Sequence, residues 1–530
     1  MNVRDIEIPY AEDRGWGYRF WEILPGAVSW TILLLPIVLS IFNPTLFAIY
    51  IIAFLLIWFV KAIGLNIRSL QGFRMMSQQS KLDWAPLLAD LEAGHLVNSG
   101  AEMPKWHLHN VSRLAERPLC MLPSEVIHAI IIASYNESKD ILEPTIKSVL
   151  ASKFDMKKVI LIMAYEARDG AQSEDAVLEL AKEYKDKFMY TLATKHPLTE
   201  GEVRGKGGNV TFAGRELQKY LESRHIDPSR VIVTTLDADN RPHPNYMAAL
   251  TYTYCSTEDP RYVSYQPVVT YTNNIWDAPS PMRVIATGSM FWNVTLSMRP
   301  HMLRNFSSHA QGMHALIDTD FWSVRTIVED GHQFWRTYFR YDGRHEVYPL
   351  FVPISQDAVL SSTFKKTLKA QFIQLRRWAW GVTDIAYFAS KAFKKDNKAS
   401  KVDMIFKFSR LVEGHISWAT ASLLLAFGAL IPVLVQPSNY VANQLPHIAS
   451  NIQTLALAGI FITLFLSFKA LPPKPERYKR HRTIFMVLQW VLLPVTTITY
   501  NSLSSIYSQT RLMFGRYYDK FDVTDKSVKK

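Results

Sequence analysis

Cysteine is nearly missing from this chain. Only Cys120 and Cys255 occur in 530 residues, far apart and without the spacing of a metal-binding set. That excludes a disulfide framework and a structural zinc site, and makes a reducing compartment the default. No pattern of Cys, Ser and His suggests a nucleophile triad. There is no internal repeat and no low-complexity tract, which argues against repeat and fibrous architectures. Residues 1–23 are polar and aromatic with charges of both signs. They lack the short basic start and small-residue cleavage site of a signal peptide, and they read as a cytoplasmic N-terminal segment.

Charge is also missing over long stretches. Leu24 to Ile41 contains none, nor does Thr45 to Val60, and each approaches the roughly 20 residues that cross a bilayer. Asn43-Pro44 between them is a turn, so 24–63 reads as a transmembrane hairpin, with a buried soluble hairpin as the alternative. Lys61, Arg68 and Arg74 follow, which by the positive-inside rule places the next segment in the cytoplasm. The chain as a whole is 48% hydrophobic with a net charge of +12. A basic balance suits an anionic ligand, an anionic membrane surface or nucleic acid. Because the positive charges flank apolar segments, membrane lipids are the expected partner and nucleic acid is not.

Residues 64–125 form a connector with interfacial helices, including a basic amphipathic one near Ile67 to Met76. From Val126 strands and helices alternate, which predicts a mainly parallel sheet in an α/β domain over 126–362. Apolar spans return at about Leu411–Val435, Ile452–Phe468 and Thr483–Thr497, within a C-terminal transmembrane region 401–510. The 436–451 loop has no Lys or Arg, whereas 470–482 holds Lys474, Arg477, Lys479, Arg480 and Arg482. This asymmetry puts the first loop outside and the second inside. Pro494 interrupts the last segment, and the 511–530 tail is basic, ending in Lys529-Lys530. A bent last segment with a cytoplasmic tail therefore competes with a full span.

Chemistry-bearing residues fall at the ends of the predicted strands. Val231 to Leu236 is a β-branched run that stops on Asp237-Ala238-Asp239. Acidic oxygens at the carboxyl edge of a sheet sit where α/β folds bind ligands, and they suit Mg²⁺ or Mn²⁺ held with substrate phosphates. Alone, the pair is equally an acidic loop. Arg204 and Lys206 lie in a glycine-rich stretch opening a helix, an anion site or a solvated loop. Asn136 and Glu137 follow the first strand and Glu166 ends the second, edging a pocket or making simple turns. Glu329-Asp330 offers a general base or a helix cap. Gln374, Arg377 and Trp378 share one helix face, within an amphipathic interface segment 363–400.

Asp-x-Asp, Glu-Asp and Gln-x-x-Arg-Trp in this order, flanked by membrane spans, resemble the processive family 2 glycosyltransferases, the group of cellulose, chitin and hyaluronan synthases. The resemblance covers about residues 126 to 385. It implies a GT-A nucleotide-sugar-binding domain inserted between transmembrane helices of the plasma (inner) membrane, multi-pass, with the catalytic domain cytoplasmic. It further implies inverting transfer from a UDP-sugar to a growing polysaccharide, with single-sugar transfer to a lipid-linked acceptor as the alternative. A non-catalytic nucleotide-binding receptor or scaffold is the reading from another class. By the resemblance Asp237 contacts the nucleotide, Asp239 the metal, and Asp330 takes the acceptor proton with Glu329 beside it. Asn136, Glu137, Glu166, Arg204 and Lys206 then serve the donor, and Gln374, Arg377 and Trp378 the acceptor and diphosphate. Tyr165-Glu166 stands where the family has an acidic pair, which leaves the nucleobase open. Gln266-Pro267-Val268 replaces its Gln-Thr-Pro, leaving acceptor contact there open. His332 is expected to be structural.

Overall fold

The computed structural model describes residues 6–97, 103–197, 199–394, 397–479 and 481–518. Arg480 and the basic Lys529-Lys530 end lie outside them. An eight-stranded sheet forms the centre of the α/β domain. Its strands are β1 (Ile127–Ala133), β2 (Val159–Glu166), β3 (Tyr190–His196), β4 (Val231–Asp237), β5 (Arg241–Pro242), β6 (Val263–Thr270), β7 (Ala310–Gly312) and β8 (Glu346–Ser355). They are ordered β3-β2-β1-β4-β7-β6-β8-β5. The four strands from β3 to β4 run parallel, and β7 is antiparallel to both β4 and β6.

Alternation along β1 shows why these residues make a two-sided sheet. Ile130 and Ile132 enter one layer with Leu142, Ile146 and Val149 of helix Lys139–Leu150. Ala129 and Ile131 enter the other with Val210, Ala213 and Leu217 of helix Lys206–Ser223. Both faces are covered, so the strand reads as one apolar run. The chain moves outward from β1 to β3 and then crosses back to β4 on the other side of β1. That is a topological switch point, the place where open α/β sheets bind ligands. Ala133 pairs with Ala164 on one side and with Asp237 on the other. The ends of β1, β2 and β4 therefore lie side by side.

Several boundaries depart from the sequence reading. In the aromatic-rich stretch 273–309, helix is confined to Ser280–Ser297 besides a short turn. Pro279 and Pro281 start it, the turn at Pro300–Met302 closes it, and the chain then supplies β7, too short to show in the pattern. The amphipathic segment near Ile67 is no separate surface helix, because Pro44–Lys81 runs unbroken through it. No helix breaker intervenes, and Gly72 sits close against Val294 of helix Ser280–Ser297. Helix Trp16–Phe42 begins well before Leu24, and Ile6 and Ile8 ahead of it are buried.

Among the described residues four helices are long and apolar enough to cross a membrane: Trp16–Phe42, Pro44–Lys81, Tyr440–Ala470 and His481–Met513. The α/β domain is set between the two pairs. The expected span Leu411–Val435 is not among them. It divides into helices Lys401–Phe427 and Ile431–Val435, and the first carries Glu413 and His415. The expected loop 436–451 is instead mostly helical, since Tyr440–Leu457 leads into Gly459–Ala470. The last apolar helix is irregular where Pro494 removes a backbone donor. A 3₁₀ turn spans Gln489–Leu492 and a π-helical turn spans Thr497–Ser502 before Leu503–Met513 resumes.

Candidate active site

The site is built on the end of β4. Lys206, the first residue of helix Lys206–Ser223, donates from Nζ to Asp237 Oδ1 at 2.7 Å. Ser307 Oγ donates to Asp237 Oδ2 at 2.5 Å. Asn240 closes the turn by accepting from the Asp237 backbone N–H at 2.8 Å, and its Oδ1 also accepts from Ser308 Oγ at 2.6 Å. The first carboxylate is thus aimed by protein donors. Asp239 points elsewhere, 8% exposed. Its Oδ2 accepts from the backbone N–H of Asp357 at 3.0 Å, while Asn273 Nδ2 donates to its carbonyl at 2.8 Å. Asp357 follows the end of β8, which lies next to β5 in the sheet. Sequence reasoning missed it, although an acidic residue just past a strand was a readable signal.

The acidic pair meets this cluster. Glu329, 4% exposed, and Asp330 open helix Glu329–Arg340. A Cβ on Gly207 would lie 2.4 Å from the Ser323 carbonyl oxygen and 3.3 Å from Glu329 Cβ. Only glycine lets the two helix starts approach so closely. Burial, and then the neighbouring Asp330, push the Glu329 carboxyl above its usual range. Burial raises Asp330 as well, against the opposing pull of Lys206 and Arg377. For Lys206, burial disfavours the ammonium, but Asp237, Glu329 and Asp330 outweigh it and raise its pKa. Lys206, Asp237, Glu329, Asp330 and Arg377 therefore form one electrostatic group.

The remaining candidates are less converged. Gln374 Oε1 accepts from Gln371 Nε2 on its own helix at 3.1 Å. Trp378 packs at the edge of the core around Val268 and Met282. Arg204 is exposed. A second polar cluster forms at the ends of β1 and β2. Asn136, at φ 55°, accepts from the Gly170 N–H at 2.8 Å, with Glu137 half-buried beside it. Glu166 accepts from Nε and Nη2 of Arg168, whose guanidinium lies 4.2 Å from the Tyr135 ring centroid. Asp169 is raised to about 6 by burial. Sequence reasoning missed Arg168 and Asp169, which sit in a turn with no periodicity. Gln266 is buried and accepts from the Phe306 N–H at 2.7 Å. His332 is buried and pairs with Asp384 at 2.6 Å.

No family model matches this sequence, and no curated protein matches it. Among solved structures, the chain is similar to a mannosyltransferase from Pyrobaculum calidifontis in complex with GDP-Man and Mn²⁺. The identity is 15% and the TM-score 0.36, covering 82% of this chain and 99% of that one. It is also similar to S. aureus TarS 1–349, at 9% identity and a TM-score of 0.37, covering 74% and 93% of the two chains. A third similar structure is that TarS fragment with UDP-GlcNAc, at 11% identity and a TM-score of 0.34, covering 74% and 93%. Likenesses this weak carry no weight for this chain, whose reading rests on its own geometry.

Among the described residues no group of three or more His, Cys, Asp or Glu side chains could hold a metal by itself. The donors at the β4 edge nevertheless suit a hard cation. Asp239 brings a carboxylate beside the Asp357 backbone, and Mg²⁺ commonly takes one or two carboxylates with phosphate oxygens and waters completing the shell.

Proposed function

We propose that the chain is a membrane-embedded inverting glycosyltransferase of the GT-A, family 2 type. It moves a sugar from a nucleotide sugar to a growing polysaccharide, its α/β domain on the cytoplasmic side of the plasma (inner) membrane. The observation that carries this reading is the Lys206–Asp237 ion pair at the switch point of the sheet, with the Glu329–Asp330 helix start packed against Gly207 beside it. Cations that neutralise a departing diphosphate and a carboxylate that takes a proton are what such a transfer needs. The Tyr135–Arg168–Asp169 edge, on the β1–β2 side, offers a flat cation and carboxyl groups to a nucleobase, and a UDP-sugar is the donor we favour.

In the reaction, the acceptor hydroxyl attacks the anomeric carbon while its proton passes to Asp330. The bond from that carbon to the diphosphate oxygen breaks, and the electron pair leaves with the diphosphate. Lys206 and Arg377 stabilise the charge that develops there. Asp239 would hold a divalent cation, Mg²⁺ or Mn²⁺, which would supply Lewis-acid neutralisation of the same phosphates. Glu329 shares the proton load of the acidic pair, and Trp378 offers an indole face to a sugar ring.

A second reading, single-sugar transfer to a lipid-linked acceptor, is favoured by the four candidate spans among the described residues, few for a polymer passage. Incubating membranes with a panel of radiolabelled nucleotide sugars and sizing the product tests both. A ladder of long products supports the polymerase, and one added sugar on extractable lipid supports the second reading. No transfer or hydrolysis with any donor would leave a nucleotide-binding receptor.

A further inference from the structure

Away from the candidate active site, segment Asp277–Arg283, the start of helix Phe364–Ala379 and the start of the last apolar helix enclose a polar cavity of about 390 Å³. Two guanidiniums line it, Arg283 and Arg482. Arg283 is 2% exposed. It donates to Gln489 Oε1 at 2.6 Å, to the Ala278 carbonyl at 2.8 Å and to Ser280 Oγ at 2.8 Å. Arg482 donates to the Trp276 carbonyl and lies 4.5 Å from the Tyr478 ring centroid. Its Nε is buried without a hydrogen-bond partner, a state that costs free energy and asks for an acceptor.

The cavity is short of negative charge. Its one lining carboxylate, Asp277, is held by Arg477 at 2.7 and 2.8 Å and by the Tyr478 hydroxyl. Burial, and then the charge of Arg482, lower Arg283 to about 10. The first turn of helix Phe364–Ala379 opens on the same space, with Thr363 accepting from the Lys366 N–H at 3.2 Å, and adds the positive end of its dipole.

The cavity adjoins an apolar one. Phe364 also lines a groove of about 520 Å³ between Leu368 and Phe372 on one side and Leu492, Val495 and Tyr500 of the last apolar helix on the other. Lys369 stands at that groove, exposed. A cationic pocket that shares Phe364 with an apolar groove along a helix fit to cross a membrane matches one kind of molecule. A free phosphate would satisfy the guanidiniums and leave the groove bare, a lipid without a phosphate would fill the groove and leave the Arg482 N–H unmet, and a zwitterionic one would set its own cationic group against the same positive lining. We propose that this composite site binds an anionic membrane phospholipid, its phosphate against Arg283 and Arg482 and an acyl chain along Leu368, Phe372 and Val495. The lipid would brace the helix that carries Arg377 toward Asp330. The inference rests on the membrane reading, not on the sugar chemistry.

The test uses the full chain purified from membranes in mild detergent. Native mass spectrometry would follow retention of phosphatidylglycerol against phosphatidylcholine supplied in equal amounts. The wild type should keep phosphatidylglycerol in preference. Arg482→Gln should lower that retention about tenfold, the loss expected for one charge-assisted hydrogen bond. Arg482→Lys, which keeps the charge, should retain most of it and shows that the fold survives. Leu368→Glu, which places a negative charge in the groove, should also release the lipid. Equal retention of both lipids, or wild-type retention in Arg482→Gln, would overturn the site. Displacement of the lipid by millimolar inorganic phosphate would reduce it to a simple anion site and overturn the lipid. Recovery of the wild-type chain in the soluble fraction would instead overturn the membrane reading.

Discussion

Asp330 and Lys206 act on one another, and that coupling decides what each can do. Burial holds the Asp330 carboxyl above its usual range, while Lys206 and Arg377 pull it back toward ionisation. In the proposed role of general base it must be ionised, so turnover should rise with pH through a limb above the ordinary aspartate range. Lys206→Gln removes one of the charges favouring the carboxylate, so the acid limb of kcat should move to higher pH, read from the pH profile at saturating donor. An unmoved limb would separate Lys206 from the base. Asp330→Asn keeps size and polarity but cannot take the proton. Turnover should fall by roughly 10²–10⁴-fold with donor affinity little changed, and kcat and kcat/KM should drop together. Loss of donor binding with turnover intact would place Asp330 at the donor instead. Asp239→Ala should abolish transfer and weaken nucleotide binding in the presence of Mn²⁺ or Mg²⁺, as measured by calorimetry. Full activity in excess chelator would contradict the metal role.

At the level of elements, the site depends on two helix starts meeting at Gly207. In Gly207→Ala the new Cβ would lie 2.4 Å from the Ser323 carbonyl oxygen. Overpacking of that kind costs about 1–3 kcal/mol, so thermal unfolding should come several degrees lower and activity should fall with it. Gly414→Ala, with nothing within 4 Å of its Cβ, is the control and should not destabilise. The strands β1, β2 and β4 were legible because β-branched runs end sharply at polar residues. Strand β7 was not, because Ala310–Gly312 is too short to carry a period and becomes a strand only between β4 and β6. Arg168 was hidden for a related reason. The Tyr135 ring it covers is set by how the ends of β1 and β2 lie side by side.

For the whole molecule, orientation is the open quantity that one experiment settles. Asn443 and Glu476 are both exposed side chains, so a cysteine at either is accessible to reagent unless a bilayer intervenes. In a chain with Cys120, which is exposed, replaced by serine, a cysteine at 443 should react with a membrane-impermeant thiol reagent in intact cells. One at 476 should react only after permeabilisation. Reversed labelling would put the α/β domain outside. The sequence by itself determined that long uncharged stretches flank an α/β core, and it singled out Asp237, Asp239, Glu329, Asp330 and Arg377 as candidate site residues. Those properties are local, being runs of apolar residues and strand ends within a few positions of a motif. Only the tertiary structure decided that Lys206 holds Asp237, that Asp239 turns to the Asp357 backbone, and that Glu329 packs beside Gly207. It also decided that, among the described residues, four helices rather than the five expected spans are long and apolar enough to cross a membrane, and that two arginines line a cavity next to an apolar groove. These depend on register across the sheet and on packing between helices far apart in the chain, and neither leaves a mark in local composition.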